Sequence, residues 1–103
     1  MIVNSVNIKF IKPHNGLIGF ANVVVDNNLY LSSIAIFERM DRTYRLQYPT
    51  KKISDGREVH VFAPINQTTN KTLEEAVSSM INRIKSERNE YDRYYKNSNL
   101  SGL

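Results

Sequence analysis

The chain has 103 residues, of which 41% are hydrophobic and 23% are charged, and it contains no cysteine. This length fits one domain rather than two, and the lack of cysteine excludes disulfides, thiolate metal sites and a cysteine nucleophile. No apolar stretch reaches the roughly 18 residues that a membrane span requires, and the N-terminus lacks the pattern of a signal peptide. We therefore expect a cytoplasmic protein without a membrane span.

The net charge of +4 is concentrated in one segment of the chain. Positive and negative residues balance over residues 1–38 and again over residues 58–103. The segment between them carries six cations against Asp41 and Asp55, namely Arg39, Arg42, Arg45, Lys51, Lys52 and Arg57. Such a local positive field attracts polyanions. A solvated basic surface is the plainer alternative.

Period-two alternation predicts strands over residues 2–12, 17–25 and 29–37. In the first strand it places Ile2, Val6, Ile8 and Phe10 on one face. Asn15-Gly16 predicts the first turn, because these residues readily adopt positive φ angles, and residues 26–28 predict the second. Three strands joined by such short turns form an antiparallel meander.

Two shorter segments, residues 44–48 and 57–63, also alternate, and we expect them to form a hairpin. Pro49 ends the first segment, and Ser54-Asp55-Gly56 turns the chain. Tyr44 and Tyr48 could stack on nucleic-acid bases if they face outward. Their alternation with Arg45 and Gln47 favours a position in the core, which would direct Arg45 to solvent.

The last part of the chain has the periodicity of a helix. Its apolar stripe recurs at spacings of three and four, at Leu73, Val77, Met80, Ile81 and Ile84. Residues 66–70 offer several N-caps; Thr72 with Glu75 fits a capping box, and Thr69 or Asn70 are alternatives. Residues 96–103 have the composition of a disordered tail, so we expect a single domain over residues 1–95.

These elements predict an α+β fold with an antiparallel sheet of four to five strands, a meander plus a hairpin, followed by a long C-terminal helix. One helix can cover only one face of the sheet. We therefore expect a homodimer that forms through the sheet. The alternative is a monomer with one solvated sheet face.

The sequence offers no set of catalytic residues. His14 and His60 have no third ligand at a suitable spacing, the glycines are scattered, and the paired serines have no positioned base nearby. We expect no enzyme activity, no metal, no cofactor and no small-molecule substrate.

Three stretches of the chain are similar to the stage V sporulation protein G family of bacterial regulators, which are also known as septation proteins. These are the segment from Asn4 to Lys9, the segment from Ala21 to Ile34, and the segment from Tyr48 to Asn66. The last contains Pro49, Lys51-Lys52, Asp55-Gly56 and Pro64-Ile65-Asn66 at the family's spacing. Four positions depart from the family pattern: Tyr48 replaces Met, Thr50 replaces Ser, Ser54 replaces Pro, and Ala63 replaces His.

The resemblance implies a homodimer that binds DNA, and in some members RNA, to regulate genes for septation or sporulation. Lys51 and Lys52 match the family's basic pair and are the expected phosphate contacts, joined by Arg57. We expect Arg42 and Arg45 to be their neighbours across the hairpin. Arg83, Lys85 and Arg88 form a secondary candidate set on the helix, although pairing with Glu87 and Glu90 is the plainer interpretation.

A second function remains open from the sequence. The chain could be a protein-interaction module in cell division that binds no nucleic acid. The tyrosine-rich segment over residues 91–95 would then be the surface for a protein partner.

Overall fold

The computed structural model describes the backbone of residues 1–101 and the side chains of residues 1–88. Its elements in chain order are β1 (Val3–His14), β2 (Leu17–Val25), β3 (Leu29–Glu38), β4 (Tyr44–Gln47), β5 (Thr50–Lys52), β6 (Glu58–His60) and α1 (Gln67–Ser101). The first four strands form an antiparallel sheet in the order β1-β2-β3-β4, and β5 pairs with β6 in a separate two-stranded sheet. The predicted α+β fold class is confirmed.

The hydrophobic core lies between α1 and one face of the four-stranded sheet, here called the inner face. Alternate residues of β2 and β3 are buried there with Leu73, Val77 and Ile81 of the helix, as the predicted apolar stripe requires. Complete burial of side chains such as Ile34 and Ile36 contributes about 1.5–3 kcal/mol each to folding. In the part of the chain that the structure describes, no helix is long and apolar enough to cross a membrane.

The two predicted turns of the meander are confirmed. Asn15 and Gly16 both have positive φ angles, 51° and 87°, which suit a two-residue hairpin loop. Asp26 and Asn27 also have positive φ, at 52° and 51°. β1 continues through Pro13 because it is an edge strand, where a missing backbone N–H is tolerated.

The predicted inner face of β1 is partly wrong. Ile2 is 68% exposed, whereas Val3 packs against the core together with Val6 and Ile8. Phe10 lies opposite Gly19 on the same face as Ile8, as predicted, and is 44% exposed. The register of β1 on β2 shifts between Val3 and Ser5, so Asn4 is an extra residue that reverses the alternation. The Asn4 side-chain oxygen holds this bulge in place by accepting a hydrogen bond of 2.7 Å from the Asn27 amide.

The predicted pairing of residues 44–48 with residues 57–63 is also wrong. β4 instead pairs with β3, and β6 pairs with Thr50–Lys52, which the sequence placed outside any strand. The reason is burial: Tyr44, Leu46 and Tyr48 complete the core, so their strand must join the large sheet. The Ser54-Asp55-Gly56 turn is confirmed, since Gly56 has φ of 87° and donates its amide to the Ile53 carbonyl.

The helix begins at Gln67, capped by Asn66. The Asn66 side-chain oxygen accepts a hydrogen bond of 2.8 Å from the Thr69 amide, which is the geometry of an N-cap. The capping box at Thr72 and Glu75 is therefore wrong; Thr72 lies inside the helix and donates its hydroxyl to the Thr68 carbonyl. The disordered tail predicted for residues 96–103 lies outside the residues whose side chains are described, and it stays a prediction.

Candidate nucleic-acid interface

The two strands of the β5–β6 hairpin are exposed to solvent. All six of its strand residues are exposed, on both faces of the two-stranded sheet. At its base the Val61 amide donates to the Pro49 carbonyl at 2.9 Å, and near its tip the Ile53 amide donates to the Arg57 carbonyl at 2.9 Å. The hairpin is therefore hydrogen-bonded from base to tip while its side chains stay in solvent.

The two lysines of the basic pair point to opposite faces of this hairpin. Lys51 lies opposite Val59 and Lys52 lies opposite Glu58 in the register of β5 on β6. Successive residues of a strand alternate between faces, so one face carries Lys51 and Val59 and the other carries Lys52 and Glu58. Neither lysine forms an ion pair with a described residue.

Arg57 lies at the tip of the hairpin and is held there by Asp55. Its Nε donates to Asp55 Oδ2 at 2.6 Å, and its amide donates to Oδ1 of the same carboxylate at 3.0 Å. Arg57 is 72% exposed, so the remaining guanidinium N–H groups are available to solvent or to a ligand. The tip thus presents an arginine whose orientation is set by its neighbour.

The other arginines of the basic segment do not lie on the hairpin. Arg45 is in β4, where its guanidinium lies 4.6 Å from the centre of the Phe37 ring. Arg42 is in the β3–β4 turn with φ of 70° and pairs with Glu38 at 3.6 Å. Arg39 pairs with Glu74 of the helix at 3.6 Å. Of the six cations in the segment, Lys51, Lys52 and Arg57 lie on the hairpin. Arg42 and Arg45 are not their neighbours across it, because β4 pairs with β3, so that expectation is wrong.

The secondary candidates on α1 have different partners. Arg83 pairs with Glu87 at 3.2 Å within the helix, as the plainer interpretation predicted. Lys85 instead donates to the Tyr44 hydroxyl at 2.9 Å and lies 4.0 Å from Glu38 of the sheet. Arg88 is exposed at the limit of the described side chains. The tyrosines at 91–95 lie outside these described side chains.

Tyr44 and Tyr48 are core residues, 5% and 7% exposed, so the stacking alternative is wrong. The Tyr48 hydroxyl donates to Asn70 Oδ1 at 2.8 Å, which ties the start of the hairpin to the first turns of the helix. Burial, together with the negative charge of Glu74, raises the pKa of Tyr48 to about 12. The tyrosine that replaces the family's methionine therefore has a structural role.

Ala63, which replaces the family's histidine, lies between two clefts. One, of about 400 Å³, is also lined by His60 and the start of α1. The other, of about 310 Å³, has a mostly apolar lining that includes Val25, Leu31 and Phe62. The departure from the family pattern is therefore at an exposed position beside the hairpin, and the fold forms without that histidine.

Most of the polar residues in the resemblance stabilise the backbone. Asn22 Oδ1 accepts a hydrogen bond of 3.0 Å from the amide of Ser33, whose φ is 62° at a bulge in β3. Asp55 and Gly56 form the hairpin turn, and Asn66 caps the helix. Lys51 and Lys52 are different, because their side chains make no hydrogen bond or ion pair with the described residues.

The outer face of the four-stranded sheet, opposite α1, contains pairs that the sequence analysis missed. Phe20 lies opposite Lys9 in the register of β1 on β2, and Phe37 lies opposite Arg45. Tyr30 is 60% exposed opposite Val24. The signal was available in the alternation of β2 and β3, since residues beside the buried Ala21 and Ile36 must face outward.

Fold and site together define a small α+β protein with a half-covered antiparallel sheet and a basic, exposed hairpin. The model of the SpoVG family, that of stage V sporulation protein G, matches residues 1–83. The chain belongs to the SpoVG family. Membership supports a function related to sporulation or septation. Among curated proteins no match was found.

Proposed function

We propose that this protein is a nucleic-acid-binding regulator, without enzyme activity, that acts in the cytoplasm in the control of septation or sporulation. The observation that carries the proposal is the pair Lys51 and Lys52. They are exposed, they match the family's basic pair, and they are free of ion pairs to the described residues. A lysine that is already charged and exposed can bind a phosphate without first breaking a protein contact.

Two observations support this proposal: membership of the family, and the location on the hairpin of positive charges that are unpaired among the described residues. Arg39, Arg42 and Arg83 have carboxylate partners, so they would contribute less to a phosphate interface than their number suggests. Surface ion pairs are weak, about 0–1 kcal/mol, so Arg42 can still add to the long-range positive field. The principal contacts are therefore Lys51 and Lys52. Arg57 also has a carboxylate partner, Asp55, and would add a contact only through its terminal guanidinium nitrogens.

A homodimer through the outer face of the sheet is part of the proposal. Tyr30 is 60% exposed there, and Phe20 and Phe37 are only partly covered. A second copy would cover this surface and bring two basic hairpins into one particle. Sedimentation should give twice the 11.9 kDa mass of the chain at micromolar concentration, and a monomer there would contradict the dimer.

The double variant Lys51→Ala with Lys52→Ala tests the nucleic-acid site. It should weaken binding and reduce the slope of log K against log salt by about two for each hairpin that contacts the nucleic acid, since each lost phosphate contact removes roughly 0.9. Lys12→Ala is the matched control, because Lys12 is exposed near the β1–β2 turn, at the opposite end of the sheet from the hairpin.

Unchanged affinity and slope in the double variant would place the interface elsewhere. The ratio of absorbance at 260 and 280 nm, before and after a high-salt wash, separates the proposal from a pure protein-interaction module. Nucleic acid that co-purifies and is released by salt favours the regulator. Clean protein at low salt, with no binding to DNA or RNA, would favour the module.

A further inference from the structure

The geometry points to a specific mode of binding: we propose that the β5–β6 hairpin enters the major groove of duplex DNA as a two-stranded ribbon, with Lys51 and Lys52 on opposite walls. This inference rests on the proposed nucleic-acid function and adds the shape of its ligand. The observation that carries it is that the two lysines project from opposite faces of a hairpin that is exposed on both sides.

A flat contact with one strand of phosphates would use only one face of the hairpin. Lys51 would then bind while Lys52 pointed away, or the reverse. A groove has phosphates on both sides, so a ribbon inside it can use both lysines at once. The major groove of B-DNA is about 12 Å wide and about 8.5 Å deep, and it admits a two-stranded ribbon.

The hairpin is long enough for this position. From Thr50 to the tip at Asp55 it extends at most roughly 17 Å, at about 3.3 Å per residue, which is about twice the depth of the groove. Its backbone hydrogen bonds run from Pro49–Val61 to the tip turn, so the ribbon is ordered before it binds. The tip can therefore reach the base edges while the strands lie between the phosphate walls.

Arg57 is the residue at the tip that suits a base contact. Asp55 holds its Nε, and the terminal guanidinium nitrogens remain free to donate two hydrogen bonds. A guanine offers two acceptors, O6 and N7, at the floor of the major groove in the matching geometry. Asp55 thus orients Arg57, and Arg57 would favour guanine at the site.

The ribbon distinguishes DNA from RNA on shape. The major groove of an A-form RNA duplex is deep and narrow, and side chains cannot read it. A single strand offers no opposed walls. We therefore expect duplex DNA to bind at least tenfold more tightly than an RNA duplex of the same sequence or either single strand, at equal salt.

The experiment combines this competition with dimethyl sulfate footprinting, which methylates guanine N7 in the major groove. The full chain should protect guanines from methylation, and the minor-groove ligand distamycin should not displace it. Lys51→Ala and Lys52→Ala should each reduce the salt slope by about one per bound hairpin. Arg57→Lys should keep the slope but lose the N7 protection, since lysine cannot form the bidentate contact.

The outcomes separate this inference from the proposed function. If binding depends on salt and on both lysines but guanine N7 stays reactive, the ribbon does not lie in the major groove. Displacement by distamycin leads to the same conclusion. Both results contradict the ribbon model and leave the proposed nucleic-acid function intact. Equal affinity for the RNA duplex also overturns the ribbon. A slope change in only one single-lysine variant indicates a flat contact. Absence of binding to any nucleic acid overturns the function itself.

Discussion

In β2, alternate residues are buried against α1, whereas in the β5–β6 hairpin all six strand residues are exposed. The difference is one of polar chemistry as well as burial. Arg39 and Lys85 connect the β3–β4 region to α1, while the hairpin lysines connect to no described residue. The sheet and helix form a body stabilised by its own contacts, and the hairpin is an extension whose side chains are available to a ligand.

The largest expected effect comes from a cavity in the body. Ile34 is fully buried, so Ile34→Ala should lower the free energy of unfolding by about 2–5 kcal/mol through lost burial and the cavity that remains. Ile65→Ala is the matched control near the hairpin, since Ile65 is 97% exposed and should change stability by less than about 0.5 kcal/mol. Urea denaturation of both variants checks the contrast; equal losses would contradict the division into body and extension.

Tyr48, which lies where β4 leads into the hairpin, should make the stability of the protein depend on pH. The pKa of Tyr48 is raised to about 12 from 10.0, so the folded protein holds this proton more tightly than the unfolded chain does. Below pH 10 Tyr48 is protonated in both the folded and the unfolded chain, and its contribution to stability is fully present. As pH rises from 10 towards 12 the unfolded chain loses the proton first, so this contribution is lost. Two pKa units correspond to at most about 3 kcal/mol.

Tyr48→Phe should remove this part of the alkaline loss and cost about 1 kcal/mol at pH 7, where the hydrogen bond to Asn70 is missing. The measurement is the free energy of unfolding at pH 7, 10 and 11.5. If wild type and Tyr48→Phe lose stability in parallel above pH 10, Tyr48 is not the group responsible.

A smaller effect is expected where the chain leaves the hairpin for α1. Asn66→Ala removes the N-cap and should lower stability by about 1 kcal/mol. Asn82→Ala is the matched control: Asn82 is exposed inside the helix, where alanine is the better helix former, so stability should not fall. Thermal unfolding separates the two. A larger loss at Asn82 would mean that Asn66 does not cap the helix.

Local patterns in the sequence predicted much of the body, and long-range contacts decided the rest. Asn15-Gly16 and the stripe at Leu73, Val77 and Ile81 are local signals, and both predictions are confirmed. Ile2 was assigned to the wrong face of β1 because the bulge at Asn4 depends on a hydrogen bond from Asn27, a residue far along the chain.

The candidate site was predictable in composition but not in geometry. Lys51 and Lys52 stand out by charge and by resemblance, yet their opposite facing follows only when Thr50–Lys52 is known to be a strand. Charge counting also could not tell which arginines are used within the fold. Arg42 and Arg45 have nearby partners in the sheet, and those partners depend on β4 pairing with β3 rather than with β6.

The smallest expected change in stability is at the hairpin itself. Lys51→Ala with Lys52→Ala removes two exposed side chains without ion pairs to described residues, so unfolding should change by less than about 0.5 kcal/mol. Lys12→Ala should change it equally little. The two variants should therefore coincide in thermal unfolding and differ in nucleic-acid binding, where only the hairpin variant loses about two units of salt slope per bound hairpin. A double variant that unfolds readily would show that the lysines serve the fold, and the body and the hairpin would then differ in burial alone.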